Sequence, residues 1–152
     1  MKKFIAAFLG LSLVIACNNQ PAETQEESVS IDELRAEVME LHDKVMPEMT
    51  PMSKLQGQLM TASVGNEDSI AIMTVATDLK YAKEAMMVWM REFSNNFDES
   101  WSESEKAAFF KAEKEKMQRI DQKTQEALKA GQEMVSSLEA SANAAADSSA
   151  AE

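Results

Sequence analysis

The chain has 152 residues, 27% of them charged, with 26 acidic against 15 basic side chains and a net charge of −11. An acidic composition of this kind lacks the basic face that contact with phosphate backbones requires, which argues against nucleic acid as a partner. A single cysteine excludes an internal disulfide.

The first residues read MKKFIAAFLGLSLVIAC: a basic pair, Lys2 and Lys3, then an apolar run from Phe4 to Ala16. Residues 1–16 have the form of a secretory signal, and the run is shorter than the roughly 20 apolar residues of a membrane span. It ends in VIAC, which resembles the lipobox of bacterial lipoproteins, with Cys17 as the lipidated first residue of the mature chain. Acyl chains contribute about 0.8 kcal/mol per buried methylene, so several of them anchor a protein without a transmembrane helix. Removing Lys2 and Lys3 with the leader leaves 13 basic against 26 acidic residues, a mature charge of −13. From the lipidated Cys17 to residue 29 the chain is polar, with little apolar surface to bury, and reads as a flexible tether. Residues 18–29 reach roughly 40 Å at about 3.3 Å per residue.

Few glycines and no alternating β-branched run follow, so the fold class is all-α. Ser30 and Glu33 have capping-box spacing and start a first helix. Its apolar repeat is Ile31, Leu34, Val38, Leu41, Val45, then Met52, Leu55, Leu59 and Ala62, broken only by Glu48. The repeat keeps phase through Pro47 and Pro51, which predicts one kinked helix, with a break at residues 47–51 as the alternative.

SVGNED, residues 63–68, supplies a turn in which Gly65 and Asn66 can adopt left-handed conformations and Glu67 or Asp68 can help to start the next helix. The second helix carries Ile72, Val75, Leu79, Ala82, Met86, Trp89 and Phe93 in heptad spacing. After SNNFDESWSE, Ser102 and Glu105 repeat the capping-box spacing. The third helix, about Glu103 to Leu138, has a weaker stripe of Phe110, Met117, Ile120, Ala127, Met134 and Leu138, interrupted by Glu113, Thr124 and Gly131. Residues 141–152 are Ala/Ser-rich and read as a disordered tail. Three stripes over residues 30–140 joined by short connections predict an antiparallel up-down-up three-helix bundle with coiled-coil-like packing. A long hairpin that forms a homodimer is the alternative.

Beside the first helix's core stripe runs a second line, Arg35, Met39, His42, Met46 and Met49, spaced 4, 3, 4 and 3. Folding back at residue 65 sets His42 level with Met86, Met87 and Met90, given the uniform rise of helices. Imidazole and thioether groups are ligands for Cu(I) or Ag(I). His42, Met46, Met49, Met87 and Met90 are therefore a candidate soft-metal site, set against the simpler role of methionine as a filler of irregular cores. The same folding arithmetic gathers Trp89, Phe93, Phe97, Trp101, Phe109 and Phe110 at the end where the first helix begins. That cluster closes the bundle as core or, where exposed, forms a docking patch for an envelope protein or glycan. FDESWSESE is acidic but lacks the glycine and ligand order of a calcium loop. With Cys17 given to lipid and a single histidine, no nucleophile and base pair is evident, so no catalytic residue is assigned.

LHDKVMPEM, AKEAMMVWMREF and EKMQRID resemble a family of small bacterial lipoproteins that often carry the label "viral A-type inclusion protein". The resemblance covers most of residues 31–138. It implies a helical envelope lipoprotein without an established activity and carries over no catalytic or binding residue. The expectation is a non-enzymatic module held in the cell envelope by lipid, with the outer membrane favoured over the inner. It needs no cofactor apart from Cu(I) under the soft-metal alternative.

Overall fold

The computed structural model of the protein describes residues 30–149, and among these the chain is helical with no strand. The elements are α1 (Ile31–Val45), a 3-10 turn (Met46–Glu48), α2 (Met49–Ala62), α3 (Ser69–Asn96) and α4 (Glu103–Ser149). The leader, Cys17 and the tether lie outside the described residues.

Helix α1 starts where its capping box forms: the Ser30 hydroxyl accepts the Glu33 N–H at 3.2 Å, and the Glu33 carboxylate accepts the Ser30 N–H at 2.8 Å. These two bonds satisfy donors that a helix start otherwise leaves open. Helix α4 starts in the same way, with the Ser102 N–H donating to Glu105 at 2.8 Å and the Glu105 N–H to the Ser102 hydroxyl at 3.4 Å.

The prolines resolve into neither a loop nor an uninterrupted α-helix. Pro47 sits within the 3-10 turn, and the backbone at Val45, Met46, Glu48 and Met49 stays right-handed helical. Restarting the α-helix at Met49 puts Pro51 in its first turn, where the missing N–H costs no intrahelical bond. The core phase survives the joint: Val38, Val45, Met52 and Leu59, seven residues apart, are all fully buried.

At the turn, Gly65 alone takes a positive φ, 72°. Asn66 instead uses its side-chain oxygen to accept the Asp68 N–H at 2.8 Å. Asp68 occupies the N-cap of α3 without a side-chain capping bond. Helix α3 then buries Ile72, Leu79 and Met86 completely, again at heptad spacing.

Helix α4 corrects the reading of its own weak stripe. Glu113, Thr124 and Gly131, the three interruptions, are all buried and lie in the seam with Phe110, Met117, Ile120 and Ala127. A Cβ at Gly131 would lie 3.1 Å from Leu79 and 3.3 Å from Leu55, so the glycine is where two leucines reach the α4 backbone. The Thr124 hydroxyl finds no hydrogen-bond partner among the described residues. The helix also continues past Leu138 to Ser149, into the segment expected as a disordered tail. Alanine, the best helix former, is frequent there, and residues 141–147 are all exposed, so propensity and not burial sustains this extension.

The core divides into two clusters. One joins Leu34, Val38, Val45, Met86, Trp89, Phe110, Met117 and Ile120. The other joins Met52, Leu59, Ile72, Ala76, Leu79, Ala82, Ala127 and Leu128. Helix α4 packs against α1, α2 and α3, and α2 packs closely on α3.

Candidate functional site

Trp89 is the residue through which the three long segments meet. It is fixed in α3 by heptad spacing from Ile72 onward, and 4% of its surface is exposed. Its indole N–H donates to the Glu113 carboxylate of α4 at 2.8 Å, and the Lys116 ammonium donates to the other oxygen at 2.7 Å. A buried carboxylate is costly unless hydrogen-bonded and paired, and Glu113 has both forms of support. On the other side the Trp89 ring lies 5.9 Å from the His42 ring of α1, centroid to centroid, tilted by 40°.

From Trp89 the rings continue without a gap. Phe93 is 4.9 Å from Trp89 and 5.6 Å from Phe109; Phe97 lies 5.3 Å from Phe110; Trp101 lies 5.5 Å from Phe109. These spacings are those of attractive tilted and edge-on ring pairs. All six aromatics selected from the sequence are thus in one array. Trp89 and Phe110 are buried, the other four are half-buried, and none is exposed. The large apolar side chains that do face solvent are elsewhere, among them Val64 at 83% and Ile70 at 84% exposure. The sequence reading passed over these two, although both lie off the heptad stripe.

The five candidate soft-metal ligands divide four to one. Met46, Met49 and Met90 pack, half-buried, against the first core cluster, and His42 touches that cluster through Trp89. Met87 is 55% exposed. The His42 side chain is 21% exposed, and its Nδ1 is 2.8 Å from an Asp43 carboxylate oxygen.

In the acidic connection before α4, the carboxylates serve local structure. Asp98 accepts from the Ser100 N–H at 2.8 Å and from the Ser100 hydroxyl at 2.7 Å. The backbone N–H, then the hydroxyl, of Ser100 hold Asp98 below its ordinary carboxylate range. The hydroxyl, then the backbone N–H, of Ser102 do the same for Glu105. Among the described residues no three His, Cys, Asp or Glu side chains are grouped as they would be to hold a metal ion. Comparison of the chain with protein-family models, with curated proteins and with solved structures finds no match.

Proposed function

We propose that this chain is an exported bacterial lipoprotein, held in the cell envelope through a lipidated Cys17, whose helical body is a non-enzymatic structural or protein-interaction module. The body is an antiparallel up-down-up three-helix bundle with coiled-coil-like seams, in which α1, the 3-10 turn and α2 together make the first rod. Two ion pairs between α1 and α4 support a parallel relation, because Glu37–Lys114 and Lys44–Asp121 share the same separation of 77 residues. Antiparallel neighbours are supported by Trp89 with Glu113 and Leu79 beside Gly131 across α3 and α4, and by His42 with Trp89 across α1 and α3.

The observation that carries the module reading is the seam itself: each rod buries side chains at seven-residue spacing against rods of the same chain, beginning one turn after Ser30. The enclosed carboxylate, Glu113, is taken up by Trp89 across the seam and by Lys116 on its own helix, so its charge is paired inside the core. Among the described residues no helix is long and apolar enough to cross a membrane; the attachment proposed is the lipid on Cys17. The outer membrane is its location, and an envelope protein or glycan its partner. The reading groups the chain with the small helical lipoproteins it resembles.

Expression of wild type and Cys17→Ser in a Gram-negative host tests the anchor. Wild type is expected in the detergent-extracted membrane fraction, with the mass of a chain starting at Cys17 plus acyl groups. The variant is expected to lose both the added mass and the membrane retention. Unchanged mass and retention in Cys17→Ser would overturn the proposal.

A further inference from the structure

His42, Met46, Met49 and Met90 lie half-buried on the flank of the first core cluster where α1 faces α3. On α1, Glu37 and Lys44 reach α4, which fixes the α4-facing side of that helix. His42 and Met46 lie one turn apart on the flank turned toward α3, as the ring contact of His42 with Trp89 shows. The 3-10 turn then aligns Met49 with Met46, because side chains three residues apart eclipse in that geometry. From the opposite helix, the Lys83 ammonium of α3 donates to Ser53 at 3.0 Å and to Gln56 at 2.8 Å on α2. That contact marks the side of α3 that faces the first rod, and Met90, seven residues on, has the same orientation at the level of His42. Ala85, Val88 and Glu92, by contrast, border the groove against α4. Close backbone approach is extensive between α2 and α3 but not between α1 and α3, which leaves the α1–α3 seam to side-chain contacts such as that of His42 with Trp89.

We propose that this half-buried seam binds a soft monovalent cation of the Cu(I) or Ag(I) class through His42 Nε2 and the thioether sulfurs of Met46, Met49 and Met90. Asp43 selects the ligating nitrogen. By accepting a hydrogen bond from Nδ1–H at 2.8 Å it leaves the Nε2 lone pair for the metal, the outer-shell arrangement that orients metal-bound imidazoles. Uncharged sulfur ligands favour a soft, singly charged ion over zinc or calcium, which want thiolate, imidazole or oxygen sets. The half-buried setting shields the site from bulk water, and the protein's acidic surface attracts cations toward it. Met87, exposed, is not a ligand. The proposal is independent of the lipid anchor.

Anaerobic titration of Cu(I), and separately of Ag(I), into the full chain carrying Cys17→Ser removes the competing thiol and tests the site. A chromogenic Cu(I) chelator sets the affinity scale. The expected result is one cation per chain, bound more tightly than micromolar. Fluorescence quenching should persist in Trp101→Phe, because Trp89 adjoins His42. Met46→Leu, Met90→Leu and Asp43→Asn are each expected to weaken binding about 10-fold or more, and Met87→Leu to leave it unchanged. Leucine preserves size, so the helical circular dichroism of the Met→Leu variants is expected to match the parent. Binding no tighter than micromolar, quenching lost with Trp101, or equal affinity in Met87→Leu and Met90→Leu with the fold retained would overturn the site.

Discussion

The two halves of this bundle use the same seven-residue repeat and differ in what stands beside its aliphatic residues, rings in one and alanine and glycine in the other. Around α1 the seam is occupied by large groups: Met86, Trp89, Phe110 and Met117, with Phe93, Phe97 and Phe109 packed on them. Around α2 the large groups Met52, Leu59, Ile72 and Leu79 are joined by small ones, Ala76, Ala82 and Ala127, with Gly131 beneath Leu79 and Leu55. Backbone separation differs too. Helix α2 approaches both α3 and α4 closely, whereas α1 closely approaches only α4. The first rod thus approaches α3 closely only past the 3-10 turn at Met46–Glu48, and the rings around Trp89 lie where α1 and α3 stand apart.

If this is right, the halves should respond oppositely to changes in size. The largest effect is expected from Phe110→Ala, which removes a ring that is 1% exposed and contacts Phe93, Phe97 and Phe109. Large-to-small changes of this kind cost about 3–5 kcal/mol. Chemical denaturation should show a lower midpoint with the slope unchanged; a loss under about 1 kcal/mol would mean the array is not core.

In the other half the damaging change is the reverse. Gly131→Leu introduces a side chain where even a Cβ lies 3.1 Å from Leu79. Leucine is the better helix former by roughly 1 kcal/mol, so a gain in stability would show that the contact is loose. Overpacking costs about 1–3 kcal/mol, and a net loss toward the upper part of that range is expected because Leu79 is fully enclosed. A stabilised Gly131→Leu protein would break the comparison between the halves.

These residues also show which parts of the structure a sequence can disclose. The stripes of α1 and α3 were legible because they consist of apolar residues at helical spacing, and both capping boxes because Ser and Glu three apart have few other uses before an apolar run. Taken singly, Glu113, Thr124 and Gly131 look like breaks in the stripe, since none of these residue types announces a core position. Their places are set by partners distant in the chain: Trp89 and Lys116 for Glu113, Leu55 and Leu79 for Gly131. Thr124 is enclosed without a partner for its hydroxyl, and we have no physical account of its choice. The restart at Met49 was illegible for a different reason, as phase alone cannot distinguish a bent α-helix from two joined by a 3-10 turn. In the candidate site, the fold-back at residue 65 sets His42 level with Met86, Met87 and Met90, whereas the ring contact of His42 with Trp89 and the exposure of Met87 depend on rotation about α3, which a uniform rise does not specify.

The smallest expected effect separates the halves by charge instead of volume. The three carboxylates held below their ordinary range, Glu33, Asp98 and Glu105, all belong to the aromatic end. Glu33 is lowered first by the Ser30 backbone N–H and then by the Ser30 hydroxyl. The 77-residue offset of the ion pairs brings its capping box to within about two turns of the Ser102–Glu105 box along the bundle. A carboxylate whose folded-state pKa is depressed stabilises the fold fully above the ordinary carboxylate range, and that contribution is lost as pH falls through the lowered value. Acidification below about pH 4 should therefore open amides at the starts of α1 and α4 before those around Gly65. All three groups are solvent-exposed, so the effect is local fraying and not global unfolding. Hydrogen exchange as a function of pH reads this order directly, after correction for the intrinsic rate. Ser30→Ala and Ser102→Ala should abolish the pH dependence at their own helix starts while leaving the turn at Gly65 unaffected. Equal acid sensitivity at the turn would show that the caps do not distinguish the two ends.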